Sequence, residues 1–159
     1  MGKFLSVLDR MLEIFTVIAL AIMLLLTVSQ VLLRYVFNNP TSWSEEITLF
    51  LLVWFGFISM SIGVRKNTHI SLEFFYDRLG DTGKFILDVG RYLLLLTFSI
   101  MMTAYAFPMI AIGHTNTMPS TQISRAVLYA PALVGGALMM LFSLLNLIHV
   151  FKRRGSKHV

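Results

Sequence analysis

The chain contains no cysteine and few charged residues. Without cysteine it cannot form disulfides, use a thiolate as a nucleophile, or bind a metal through thiolates. Charged residues make up 13% of the 159 residues, whereas a soluble domain has about 25%. The hydrophobic fraction is 57% and the mean hydropathy is +0.77. This composition excludes an ordinary soluble domain and is typical of a protein embedded in a lipid bilayer.

The apolar residues occur in four runs without a charged side chain, each 18 to 24 residues long. A helix needs roughly 20 such residues to cross the ~30 Å hydrocarbon layer. We therefore predict an all-α integral membrane protein with a single membrane domain over residues 1–159. Its four transmembrane helices are expected at about residues 14–34, 43–64, 88–112 and 127–150.

Basic residues are unevenly divided between the two sides of these spans. Eleven of the 13 Lys and Arg residues lie in the N-terminus, the second connection and the C-terminus, and only Arg34 and Arg125 lie on the other side. Because Lys and Arg are retained in the cytoplasm, both termini are predicted to be cytoplasmic. The net charge of +5 then reflects topology and attraction to anionic membrane lipids, and nucleic acid is not an expected partner.

Two segments have the spacing of short amphipathic helices. The first is the approach to the first span, where Phe4, Leu8, Met11, Leu12 and Phe15 recur at helical intervals. The second is predicted at about residues 71–79, where Leu72, Phe75, Tyr76 and Leu79 share one face. Both are expected to lie along the cytoplasmic membrane interface.

The second span opens on the sequence TSWSEE, residues 41–46. Ser42 followed three residues later by Glu45 is a capping-box pattern, and Trp43 suits the aromatic belt at the headgroup level. Adjacent helical residues point about 100° apart, so Glu45 and Glu46 are not a facing pair for acid–base catalysis. Glu46 has no local role in this pattern, and two contacts remain open for it: Arg34 or a partner subunit.

Small residues and one proline indicate how the helices pack. Ser59 and Gly63 are four residues apart in the second span, as are Ala132 and Gly136 in the fourth. This spacing lets helix backbones approach closely in lipid. Pro131 falls in the first turns of the fourth helix, where a missing backbone donor costs little.

Three functional classes are compatible with four spans: a haem-binding redox subunit, a self-sufficient small exporter or channel, and an auxiliary subunit. No histidine lies in the middle of a span, where a membrane cytochrome needs its axial ligands. No Asp, Glu, Lys or Arg lies there either, although a proton-coupled pump normally needs one. The pattern favours an auxiliary subunit with no catalytic, substrate-binding or metal-binding residue and no cofactor.

The stretch LLRYVFNNPTSWSEEITLFLLVWFGFISMSIGVRKNTHISLEFF resembles the small membrane subunit, the DctQ type, of tripartite ATP-independent periplasmic (TRAP) transporters. The resemblance rests on residues at the ends of the first two spans and on two small or proline positions. Glu73 stands where the family more often has Asp, and Ser59 stands where it often has Gly. The resemblance is carried by Arg34, Trp43, Glu45, Glu46, Ser59, Arg65, His69, Glu73 and Pro131. Together with Gly63 from the small-residue spacing, these are the predicted partner-contact or structural residues.

The resemblance implies a non-catalytic scaffold in the bacterial inner membrane. Such a subunit pairs with a large membrane subunit that holds the substrate and sodium sites. A soluble periplasmic binding protein delivers the substrate and is a transient partner. The substrates of the family are mostly organic acids, including sialic acid and four-carbon dicarboxylates. The small subunit is expected to brace the large one and to leave substrate binding to it.

Overall fold

The computed structural model describes residues 2–66 and 80–155, and these residues form four long α-helices. They are α1 (Gly2–Tyr35), α2 (Ser42–Lys66), α3 (Asp81–His114) and α4 (Ala126–Gly155). All four are long and apolar enough to cross a membrane, which confirms the predicted all-α fold with four spans. The side of the membrane on which the termini lie stays a prediction. The predicted interfacial helix at residues 71–79, with His69 and Glu73, lies outside the described residues.

The helices are longer than the apolar runs that they contain. At 1.5 Å per residue, the 34 residues of α1 and the 34 of α3 extend for about 51 Å. That length exceeds a hydrocarbon layer of ~30 Å, so these helices must tilt or extend beyond it. The amphipathic approach predicted before the first span is the first part of α1 and continues into the span without a break.

Among the described residues the helices pack in the order α1, α2, α4, α3. Contacts between the helices show their directions. Asp9 near the start of α1 meets Arg65 near the end of α2, so this pair is antiparallel. Phe85 near the start of α3 meets Phe151 near the end of α4, so that pair is antiparallel as well. The two central helices, α2 and α4, run parallel, and both termini of the chain therefore lie at the same end of the row.

The two ends of the row differ in their connections. We call the end with the chain termini the terminal end and the opposite end the hairpin end. At the hairpin end α1 stops before Asn38, whose positive φ of 50° turns the chain towards α2. The connection from α3 to α4 forms the α3–α4 hairpin, residues 116–125. It is closed by hydrogen bonds from Met118 N to Ile123 O at 2.9 Å and from Arg125 N to Asn116 O at 2.8 Å.

The best-buried apolar cluster lies between α2 and α4. Val64, Met139 and Phe142 form its centre, each with no more than 3% of its surface exposed. Leu8 and Leu12 of α1 pack against it near the terminal end. The lipid-facing surfaces of the helices are as apolar as this cluster. The cluster therefore stabilises the fold through close packing, and the hydrophobic effect does not contribute.

Candidate functional site

Glu46 binds the α3–α4 hairpin at the hairpin end. Its Oε1 accepts a hydrogen bond from the backbone N–H of Ser120 at 2.8 Å. Its Oε2 accepts two more from Thr121, from the backbone N–H at 2.8 Å and from the hydroxyl at 2.6 Å. Three donors thus converge on one carboxylate, which ties the first turns of α2 to the connection between α3 and α4. Neither contact predicted for Glu46 from the sequence included this hairpin.

Glu45 joins α2 to α1 rather than closing a capping box. Its Oε1 accepts a hydrogen bond from Gln30 Nε2 at 2.6 Å. At the start of α2, the Ser44 hydroxyl donates to the Thr41 carbonyl at 2.7 Å and lies 2.8 Å from the Thr41 hydroxyl. These two contacts join Thr41 and Ser44, and neither is the bond to a first-turn backbone N–H that a capping box requires. The capping box predicted for Ser42 and Glu45 is therefore wrong, because the Glu45 carboxylate binds Gln30 of α1 instead of turning back to its own helix.

Two ion pairs join α1 to α2 at the terminal end. The Arg65 guanidinium pairs with the Asp9 carboxylate, and both side chains are about one-quarter exposed, at 25% and 24%. Lys66 Nζ lies 2.7 Å from Glu13 Oε1, and this pair is more exposed. The carboxylates are four residues apart, so they occupy one face of α1, opposite the end of α2.

Arg65 also contacts α4. Its guanidinium carbon lies 5.2 Å from the centre of the Phe142 ring, within the range of a cation–π interaction. Close by, Asn146 Nδ2 of α4 donates a hydrogen bond to the Val64 carbonyl at 3.0 Å. That carbonyl is in the last turn of α2, where backbone acceptors lack partners within the helix. Arg65, predicted as a structural residue, therefore lies where α1, α2 and α4 meet.

Two consecutive glycines bring α4 close to both of its neighbours. A Cβ atom built on Gly135 would lie 2.8 Å from Phe57 Cβ of α2. One built on Gly136 would lie 3.1 Å from Met102 Cε of α3 and closer still to the Thr103 hydroxyl. Adjacent helical residues point about 100° apart, so each glycine faces a different helix. The close approach predicted at Gly136 is confirmed, whereas Gly135 was missed.

The other predicted residues range from exposed to fully buried. Arg34 is exposed at the end of α1, and Trp43 is exposed in the first turn of α2. Ser59 and Gly63 are partly buried in α2, and their part in close helix approach stays a prediction. Pro131 is fully buried in α4, at its sixth residue.

Several contact residues carried little or no signal in the sequence. Thr121 contacts Glu46 across 75 positions, and nothing in the hairpin sequence indicates that pairing. Asp9 and Glu13 had a signal that was not used: two acids four residues apart at the start of α1 match the basic pair that ends α2. The Gly135–Gly136 dipeptide inside a helix is the corresponding signal for the glycine contacts.

This arrangement of contacts holds the helices together. The charged side chains that contact another helix or the α3–α4 hairpin near the helix ends include Asp9, Glu13, Glu45, Glu46, Arg65 and Lys66. Within residues 2–66 and 80–155 no three His, Asp or Glu side chains come together as a metal site. The candidate site is therefore the set of contacts at the two ends of the row and the glycine contacts between them.

Comparison with known proteins shows which kind of membrane protein this chain is. Residues 23–153 match the family described as tripartite ATP-independent periplasmic transporters, DctQ component. A TRAP transporter small permease protein of Haemophilus influenzae is 25% identical over 140 residues, covering 88% of this chain and 87% of the relative. The sialic acid TRAP transporter small permease protein SiaQ of Vibrio cholerae is 23% identical over 154 residues, covering 92% of this chain and 85% of the relative.

A third relative is much larger. The sialic acid TRAP transporter permease protein SiaT of Haemophilus influenzae is 40% identical over 47 residues, which are 30% of this chain and 8% of that protein. The likeness therefore extends to a short part of a permease. Small subunits of this family work together with a large permease subunit, and they are transport components rather than enzymes. A haem-binding redox subunit is no longer an alternative. The chain belongs to the DctQ family of small membrane subunits of TRAP transporters.

Proposed function

We propose that this chain is the scaffold subunit of a TRAP transporter that imports an organic acid together with sodium. Sialic acid and a four-carbon dicarboxylate are the candidate substrates, and SiaQ of Vibrio cholerae bears the former in its name. The partners are the large membrane subunit, which would carry the substrate, and transiently a periplasmic binding protein. The chain itself would bind no substrate.

The bracing role is supported by the non-covalent contacts that join the helices of the row at both of its ends. At the hairpin end Glu46 and Glu45 tie α2 to the α3–α4 hairpin and to α1. At the terminal end Arg65 contacts α1 and α4. Four helices in a row at 8–10 Å spacing form a layer roughly 30 Å wide. A wide layer whose helices are fixed to one another can resist the movement of a neighbouring transport domain.

Reconstitution tests this function. In proteoliposomes the chain alone should transport no organic acid across a sodium gradient. Together with its large subunit and binding protein, it should give sodium-dependent uptake of the substrate. Uptake by the chain alone would overturn the scaffold role and would favour a self-sufficient small transporter.

We propose that the chain lies in the bacterial inner membrane with both termini on the cytoplasmic side. The chain has no cysteine, so an introduced cysteine is a unique label. A membrane-impermeant maleimide should label Thr117→Cys, in the hairpin, on intact spheroplasts. A cysteine added after Val159 should react only after the membrane is permeabilised. The reverse labelling pattern would contradict the orientation without affecting family membership.

A further inference from the structure

Pro131 removes one backbone hydrogen bond from the first turns of α4. In an α-helix the N–H of each residue bonds to the carbonyl four residues earlier, so residue 131 would serve the carbonyl of Val127. Proline has no N–H, and the Val127 carbonyl therefore lacks its usual partner. Pro131 is fully buried, and α4 continues through it to Gly155. Pro131 is the sixth residue of α4, beyond the first four residues whose N–H groups have no partner within the helix. The small cost that the sequence predicts for the missing donor therefore does not apply, and the Val127 carbonyl needs another donor.

The neighbouring helix supplies a donor for this carbonyl. Trp54 of α2 points its indole N–H at the Val127 oxygen, with Nε1 and O 3.3 Å apart. The indole nitrogen is a donor only, so it matches a carbonyl that needs a proton. The distance is slightly longer than the usual N–H···O hydrogen bond of about 2.7–3.2 Å, so the contact is a weak hydrogen bond.

Aromatic neighbours hold the Trp54 ring in place. The Phe50 ring, one turn earlier in α2, has its centre 5.9 Å from that of Trp54. The Phe15 ring of α1 approaches edge-on, with ring centres 6.4 Å apart and planes at 64°. Such edge-to-face pairs are favourable because of the charge distribution of the rings. Side chains of α1 and α2 thus hold the Trp54 indole in the position from which its N–H contacts α4.

We propose that Trp54 is a positioning residue that replaces the backbone donor lost at Pro131 and thereby fixes α4 against α2 and α1. Its role depends on the proline: the carbonyl of Val127 needs the indole only because residue 131 has no N–H. This dependence distinguishes hydrogen bonding from simple filling of space, since the ring would fill the same space beside any residue 131. The inference concerns the folded chain and does not rest on the proposed transport function.

A double-mutant cycle tests this dependence. Trp54→Phe keeps an aromatic ring and removes the N–H, and it should lower the melting temperature of the purified chain by roughly 2–4 °C, as expected for one lost hydrogen bond. Pro131→Ala restores a backbone N–H to Val127. In the Pro131→Ala background, Trp54→Phe should therefore cause a clearly smaller decrease. Trp54→Phe removes one of the two tryptophans, so tryptophan fluorescence cannot be compared between variants and melting is followed by circular dichroism.

Two further measurements keep the test informative if a variant folds poorly. Trp43→Phe changes the other tryptophan, which is exposed, and should leave the melting temperature nearly unchanged. In the Trp43→Phe chain labelled with ¹⁵N-tryptophan, the one indole N–H signal belongs to Trp54. Introducing Pro131→Ala should shift that signal towards the position of a weaker hydrogen bond. Equal costs of Trp54→Phe in both backgrounds, or an unmoved indole signal, would overturn the proposal.

Discussion

Gly135→Ala is the substitution for which the structure allows the most direct estimate. The added Cβ would lie 2.8 Å from Phe57 Cβ and 3.1 Å from the Phe57 carbonyl oxygen, whereas ordinary contacts begin at 3.4 Å. Neither atom belongs to a freely rotating group, so a rotamer change of Phe57 cannot remove the clash. Helices α2 and α4 would have to separate locally by about 0.6 Å to restore an ordinary contact, the difference between 3.4 and 2.8 Å.

The expected cost follows from two opposing effects. Overpacking of a close contact costs about 1–3 kcal/mol. Replacing glycine by alanine in a helix returns about 1 kcal/mol through helix propensity. The net destabilisation is then up to about 2 kcal/mol, which corresponds to a decrease of up to roughly 8 °C in melting temperature for a chain of this size.

Gly56→Ala is the matched control. Gly56 lies inside α2, and a Cβ built there would have no atom within 4 Å. Its melting temperature should stay the same or rise slightly. Gly136→Ala should be intermediate, because part of its clash is with the Thr103 hydroxyl, which can rotate. Melting can be followed by fluorescence of the two tryptophans, since thiol-reactive dyes have no cysteine to label. If Gly135→Ala and Gly56→Ala melted at the same temperature, the close approach of α2 and α4 would not limit stability.

Three further predictions concern the charged contacts at the two ends. Glu46→Gln places an amide where backbone N–H groups donate, so proteolysis or hydrogen exchange in the α3–α4 hairpin should increase, whereas Glu45→Gln should leave the hairpin protected. Arg34→Gln and Glu46→Gln should add in their effects on melting temperature, because Glu46 is bound by the hairpin; a strong departure from additivity would restore the Arg34 pairing. Asp9→Asn and Arg65→Gln should each destabilise the chain by about 1–3 kcal/mol, between exposed and buried ion pairs, and the double variant should cost less than their sum in thermal melts. Fully additive costs for Asp9 and Arg65 would show that the pair contributes nothing to stability.

The sequence by itself determined the number and type of the elements and the family. Four apolar runs of membrane-spanning length can satisfy their backbone hydrogen bonds in lipid by forming helices, in which every bond is made within the run. The residues that open and close the second span, from Trp43 to Arg65, are local features and were readable without a fold. Together with Arg34, His69, Glu73 and Pro131 they were sufficient to recognise the DctQ family, which the match over residues 23–153 then confirmed.

Contacts between the helices were decided only by the tertiary structure. Glu46 and Ser120 are 74 positions apart and Asp9 and Arg65 are 56 apart, so no local pattern relates them. Even the prediction for Glu45 failed because Gln30, from another helix, took the place of the helix's own backbone.

The physical reason is the nature of the solvent. In water, the apolar face of a helix shows which side is buried, so the sequence indicates how the helix is rotated. In lipid, the side chains that face the bilayer are as apolar as those that face another helix, and this information is lost. The rotation and order of the helices, α1, α2, α4, α3, then depend on small residues and on a few polar contacts. One of these contacts is to the Val127 carbonyl, which Pro131 deprives of its donor within the helix. Those determinants act only once the helices lie side by side.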